Sequence, residues 1–351
     1  MSASGQFPFC KWGALAALLV VVQGCGGGGS DGGDGGNLPA STGSTAAPAV
    51  STPSNYEQQR ESVLQLLNTW RTTCGWRALS SDNLLDSAAQ AHADYLRVAR
   101  DVSHFEENKQ NPYYTGRTLS ERANASGYSW RRVTEVVAGA NSGSYYNRAG
   151  ANDGPVKMDA NHSPATKHLK RLFSAVYHMQ GVLSDDVHVG IGFSGTGNIS
   201  NTSSYDLYWD VLSINTATPR AQPLPTFEGV RSFPCDGVND VIPIFYPENP
   251  NPKPGNDQFA NPLGHPVMLQ SSTGGELQVS QATFTTESGA AVAFDVLTAS
   301  NDPNQMLESN EAFLMPTKPL QDNTRYLVTV QGRDSVTGAF TRSFAFRTGT
   351  Q

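Results

Sequence analysis

The chain has 351 residues and a net charge of −7, with 24 Lys and Arg against 31 Asp and Glu. That acidic balance, with no cluster of basic residues, excludes a phosphate-backbone surface, so no nucleic-acid partner is expected. Hydrophobic residues make up 38% and charged residues 16%, and the length suits two domains with linkers.

The first signal is an unbroken apolar run from Ala14 to Val22, preceded by Lys11. It is too short to span a bilayer as a mature helix but suits the apolar region of an export signal. Val22-Gln23-Gly24-Cys25 then resembles a bacterial lipobox. The resemblance implies cleavage before Cys25 and lipid on its side chain, so the expected partner is a membrane, and two or three acyl chains would anchor stably. Gly26 follows rather than Asp, which in the sorting pattern of such lipoproteins favours the outer membrane. The expected location is extracytoplasmic and lipid-anchored. Residues 26–55, rich in Gly and Ser, read as a disordered tether.

Cys10 and Cys25 belong to the signal. Cys74 and Cys235 remain, and an exported chain meets an oxidising compartment, so the two are expected to pair. Two separate buried thiols are the alternative.

A first folded domain is expected over 56–218. Val63, Leu66, Leu67 and Trp70 recur at helical spacing within 57–73. Asp82 is placed to cap a second helix carrying Leu84, Leu85, Ala88, Ala89, Tyr95 and Leu96. A third helix is read over 162–178, with Leu169, Leu172, Phe173 and Val176 on one face. Its basic run, Lys167 to Arg171, reads as a solvated face. Strands follow at 187–193 and 205–214. Helices first and strands after, without regular alternation, give an α+β class.

Four pieces then stand in order: Asn68-Thr69-Trp70-Arg71 through Cys74-Gly75; Val102-Ser103-His104; Glu121-Arg122-Ala123 through Gly127-Tyr128 and on to Glu135–Gly139; and Ala175-Val176-Tyr177-His178 with Val189-Gly190-Ile191-Gly192 beyond. This order resembles the CAP superfamily of cysteine-rich secretory, antigen 5 and pathogenesis-related proteins. The resemblance implies an α-β-α sandwich with a cleft. It matches His104 and His178 to the two family histidines and Glu135 to the family glutamate, though Thr134 and Val136 flank it where the family carries Gly and Asn. Glu121 is the candidate for a second family acid; a partner for Arg122 or a surface charge is the alternative.

If the trio met, His104 and His178 with Glu135 would suit zinc or another divalent cation with one position open. A metal-free hydrogen-bonded network is the other reading. His92 reads as packed or surface, His162 and His168 as exposed, His188 as facing solvent or a carbonyl, and His265 as structural. Tyr145-Tyr146 falls in a long loop, 139–154.

Prolines crowd 219–262, which reads as an extended, semi-rigid connector. From 263 to 351 short alternating strands separated by Gly, Asn and Asp turns suggest an antiparallel β-sandwich. The run from Pro316 to Val330, followed by Phe344-Ala345-Phe346, resembles bacterial immunoglobulin-like domains, which implies a spacer or adhesion module. Within 56–351 no Gly-x-Ser-x-Gly or His-Glu-x-x-His occurs. The favoured function is a non-enzymatic binding module for a small apolar or cell-envelope ligand. A metal-dependent hydrolase of peptide or cell-wall material and a structural or adhesive protein are the alternatives.

Overall fold

The computed structural model describes residues 55–144, 164–196 and 206–350. The export signal, Cys25, the tether, His162 and Tyr145-Tyr146 lie outside them. Among the described residues no helix is long and apolar enough to cross a membrane.

In chain order the first half contains α1 (Asn55–Thr73), β1 (Ser80–Ser81), α2 (Asn83–Ala99), α3 (Leu119–Ala125), β2 (Trp130–Ser144), α4 (Ala165–Leu172), α5 (Val176–Val182), β3 (His188–Gly195) and β4 (Asp206–Pro219). Asp82 caps α2 by accepting from the Leu84 and Leu85 N–H groups. Thr118 and Glu121 form a capping box on α3.

The strands form one sheet in the order β1-β3-β4-β2. β1 runs parallel to β3 and the other pairs are antiparallel. Side chains alternate across this sheet and divide its two faces. On one face α1, α4 and α5 cover Val136, Ala138, Ile191 and Ile214. On the other, α2 covers Val137, Val211 and Ala217. α2 rests directly on β3, where a Cβ on Gly190 would stand 2.1 Å from the Leu85 carbonyl carbon and one on Gly192 2.1 Å from the Ala89 oxygen. The Gly-x-Gly pattern is therefore a contact surface for a helix backbone.

The helix expected over 162–178 is two helices. Ala175 adopts extended backbone, with φ −129° and ψ 146°. Glu248, from the Pro-rich segment, fills the break: its carboxylate accepts from the Val176 N–H at 2.8 Å and the Tyr177 N–H at 3.1 Å. The carboxylate satisfies the N–H groups that a continuous helix would have used internally. His168, expected to be exposed on this stretch, is fully buried and packs 5.9 Å from the Phe193 ring.

The second half contains β5 (Arg231–Phe233), β6 (Val267–Gln270), β7 (Leu277–Thr286), β8 (Phe294–Thr298), β9 (Glu311–Pro316), β10 (Arg325–Asp334) and β11 (Gly338–Arg347). They form two sheets, β5-β6-β9-β8 and β11-β10-β7. This is the ABED-on-GFC strand order of an immunoglobulin-like sandwich. Tyr326 sits at the start of β10, and its hydroxyl accepts from the Gln321 N–H at 2.7 Å, closing a tyrosine corner.

The connector departs from the expected spacer. Arg231–Phe233 is the first strand of the sandwich, paired to Met268–Gln270, so the second unit begins near 231 rather than 263. Phe233, Val238, Val241 and Phe245 are buried, which is why an apolar stretch among prolines packs instead of spanning solvent. Cys74 and Cys235 are bonded, closing a separation of 161 residues. Beside the bridge, Phe233 lies 4.6 Å from Phe173 and 5.4 Å from Trp70, and one apolar core runs through both halves.

Candidate functional site

Glu135 points from β2 toward the α2–α3 layer. Arg122 of α3 grips both its oxygens, at 2.8 and 2.7 Å. His104 donates from Nδ1 to the same carboxylate at 3.0 Å. His104 reaches this place because α2 ends at Arg100, in left-handed backbone with φ 54°, and the chain turns back across β2. Gly139 leaves room for that return: a Cβ there would lie 2.6 Å from Val102.

A second acid stands behind. Glu106 faces His92 Nδ1 at 3.0 Å and accepts from the Thr115 N–H at 2.8 Å. His92 Nε2 lies 3.0 Å from the Ser103 carbonyl and 3.7 Å from Glu135. Arg122 Nε stands 3.9 Å from Glu106, and its Nη1 donates to the His104 carbonyl at 3.1 Å. The side chains of His92, Glu106 and Arg122 are fully covered and that of Glu135 is 2% exposed, whereas that of His104 is 12% exposed. His104 is thus the one member of the cluster open to a ligand.

Burial alone would raise the Glu135 carboxyl. The Arg122 guanidinium, then His92 and His104, reverse that and hold it well below the usual carboxylate range.

Sequence reasoning singled out His104 and Glu135, which lie 3.0 Å apart, and did not single out His92, Glu106 or Arg122. The signals were present: His92 lies on the buried stripe of Ala88, Ala89 and Tyr95, and Glu106 follows His104 by two residues. Glu121 does not join the cluster. It is exposed, and its carboxylate accepts from the Thr118 N–H at 3.1 Å within the capping box.

His178 does not join it either. It belongs to α5, on the face opposite Glu135. Its Nδ1 lies 3.1 Å from Glu248, but the carboxylate is off the N–H direction, so the contact is electrostatic rather than a hydrogen bond. The residues proposed for zinc do not fit it. Among the described residues no three His, Cys, Asp or Glu side chains could share a metal ion. Arg122 already places a positive charge on both oxygens of Glu135.

His188 meets the Tyr128 hydroxyl through Nδ1 at 2.9 Å. His265 is buried, 6.3 Å from the Phe233 ring.

A family model described as the cysteine-rich secretory protein family, CAP, matches residues 64–209. No curated protein is significantly similar to the chain. Among solved structures, an extracellular protein containing an SCP domain from Bacillus anthracis str. Ames is 14% identical, with 45% of this chain and 40% of that one covered and a TM-score of 0.30. This chain therefore spans less than half of that relative. An outer surface protein from Borrelia burgdorferi is 12% identical, with 47% and 95% covered and a TM-score of 0.33. The family match falls on the α-β-α half that carries the cluster, and it is to that half, residues 64–209, that the likeness to the cysteine-rich secretory protein (CAP) family is confined.

Proposed function

We propose that the chain is a non-enzymatic, lipid-anchored extracytoplasmic binding protein, with His104 presenting the ligand-facing atom of the CAP domain. The observation that carries this reading is the double grip of Arg122 on Glu135. A carboxylate with both oxygens held by a buried guanidinium is spent as a general base and as a metal ligand, because freeing it would strand a buried charge. His104 Nδ1 is tied to that carboxylate, and its Nε2 has no protein partner among the described residues. A fixed ring with one free nitrogen suits recognition of a ligand polar group beside half-buried Val102, Tyr113, Tyr114 and Trp209. The expected ligand is small, largely apolar and drawn from the cell envelope. The lipobox at Val22–Cys25 supports attachment to a membrane, with the outer membrane favoured.

A fluorescent fatty acid titrated into the full chain tests the binding reading. Saturable binding weakened by His104→Ala is expected. Zinc calorimetry and a peptide and peptidoglycan digest accompany it. Zinc heat lost in both His104→Ala and His178→Ala, or turnover abolished by His104→Ala, would replace this reading with the hydrolase.

A further inference from the structure

On the layer opposite the histidine cluster, α1, α4 and the turn after Cys235 line a shallow, solvent-open hollow of about 380 Å³, within the size range of small-ligand sites. We propose that it binds a neutral, polyhydroxylated ligand of one or two sugar rings.

Three features carry this. The first is a pre-set wall. Asn239 and Asp240 form one side of the hollow, and the segment bearing them is fixed at both ends. The Cys74–Cys235 bridge holds one end. Buried Val241 holds the other, its N–H bonded to the Arg347 carbonyl. Asp240 itself is in left-handed backbone with φ 64°, a conformation that non-glycine residues adopt at a cost and that collects at binding sites. A wall already ordered spares the ligand the entropy of ordering it.

The second is the direction of the hydrogen bonds. The Ser62 hydroxyl donates to the Gln58 carbonyl at 2.8 Å and that of Thr69 to the Gln65 carbonyl at 2.7 Å. Asn239 donates to the Gly237 carbonyl at 3.1 Å. With their only hydrogens used, Ser62 and Thr69 offer acceptor oxygens to the hollow, while Asn239 keeps an acceptor oxygen and one amide hydrogen. Gln65 adds an amide without a partner among the described residues. Several acceptor oxygens beside two amides match a ligand whose hydroxyls both donate and accept.

The third is charge and floor. Lys170 and Asp240 pair across the rim, so the hollow offers no uncompensated charge to a phosphate or carboxylate. Leu66 and Trp70 line the hollow and supply apolar surface for the C–H face of a ring.

The full chain would be titrated with cellobiose, maltose and N,N′-diacetylchitobiose, read by saturation-transfer NMR and tryptophan fluorescence. Glucuronate and inorganic phosphate serve as charged probes. At least one neutral disaccharide should saturate. Gln65→Ala should weaken it by about tenfold, the effect of one lost hydrogen bond of ordinary strength. Thr69→Trp, which fills the hollow from an exposed position, should abolish it. Should Thr69→Trp melt early, Gln65→Ala, at an exposed residue, still decides. The proposal is overturned if no neutral probe saturates, if Gln65→Ala binds as the parent does, or if phosphate or glucuronate binds more tightly.

Discussion

Glu135 and Val136 are consecutive on β2 and serve opposite layers of the protein. Glu135 meets Arg122 and His104 on the α2–α3 side. On the other side, a Cβ added to Gly181 of α5 would lie 2.6 Å from Val136. The two-residue period of a strand makes this unavoidable. It separates the two histidines that the CAP motifs brought together on paper: His104 shares a cluster with Glu135, and His178 lies across the sheet beside Glu248.

The separation has a direct spectroscopic consequence. His178→Ala should leave the ring resonances of His104 unmoved, while Glu106→Gln, two contacts away through His92 and Arg122, should shift them. A two-dimensional NMR spectrum of the histidine rings reads both. A large His104 shift on removing His178 would place the two rings in one cleft.

The Arg122–Glu135 pair should be costly to break. Removing one member of a buried ion pair leaves the other charged and unpaired, with a typical cost of about 3–5 kcal/mol. Glu135→Gln and Arg122→Met should each approach that loss in urea unfolding, and the double variant should lose less than their sum. A loss below about 1 kcal/mol for either single change, the scale of an exposed pair, would contradict the burial found here.

Much of this arrangement was written in local chemistry. The Asp82 cap, the stripe of Ala88, Ala89, Tyr95 and Leu96, the alternation of β3 and the turn-bounded strands after 263 are all short-range signals. What escaped were long-range choices. Nothing near Ala175 announces that Glu248 will arrive to end one helix and start another. Nothing near Arg231 announces that its guanidinium will lie 4.3 Å from the Trp76 ring and donate to the Gly75 carbonyl at 3.3 Å. Glu135 stood out through its motif, but its partner Arg122 resembled an ordinary helix charge, because burial is not visible in a single helix of seven residues.

Those long-range contacts predict one unfolding unit rather than an α-β-α half with a loose appendage. Tyr177 donates to Asp302, and Gln180 donates to Glu311 at 2.7 Å. Arg231 joins Gly75 to Gln270. Calorimetry should therefore show a single transition for both halves, and Arg231→Ala should lower its midpoint without splitting it. Two resolved transitions in the parent chain would show that the halves fold independently.

The Cys74–Cys235 bridge should contribute substantially to stability. For a loop of 161 residues, chain entropy gives about 5 kcal/mol, an upper figure where the reduced chain keeps residual structure. Reduction should thus lower the melting temperature markedly, and Cys74→Ala with Cys235→Ala should reproduce the loss. Equal melting temperatures with and without reductant would refute a structural role for the bridge.

Acid and base should act through different buried groups. Burial, helped by Arg171 and Lys167, pushes His168 down to about 3 from 6.5, and burial pushes His265 down to about 3. The unfolded chain takes up these protons first. The stability that the two imidazoles contribute is therefore complete above pH 6.5 and declines as pH falls toward 3. Glu311 has the opposite sign. Burial raises it to about 7 from 4.5, so its contribution is complete below pH 4.5 and is lost as pH rises through 7. Two groups against one should leave melting temperature rising with pH between about 4.5 and 6.5. Glu311→Gln, which keeps the contact with Gln180 but cannot ionise, should steepen that rise and remove the loss approaching pH 7. His168→Gln should flatten it. Parallel melting curves for parent and Glu311→Gln across this window would show that the buried carboxyl does not carry its proton in the folded protein.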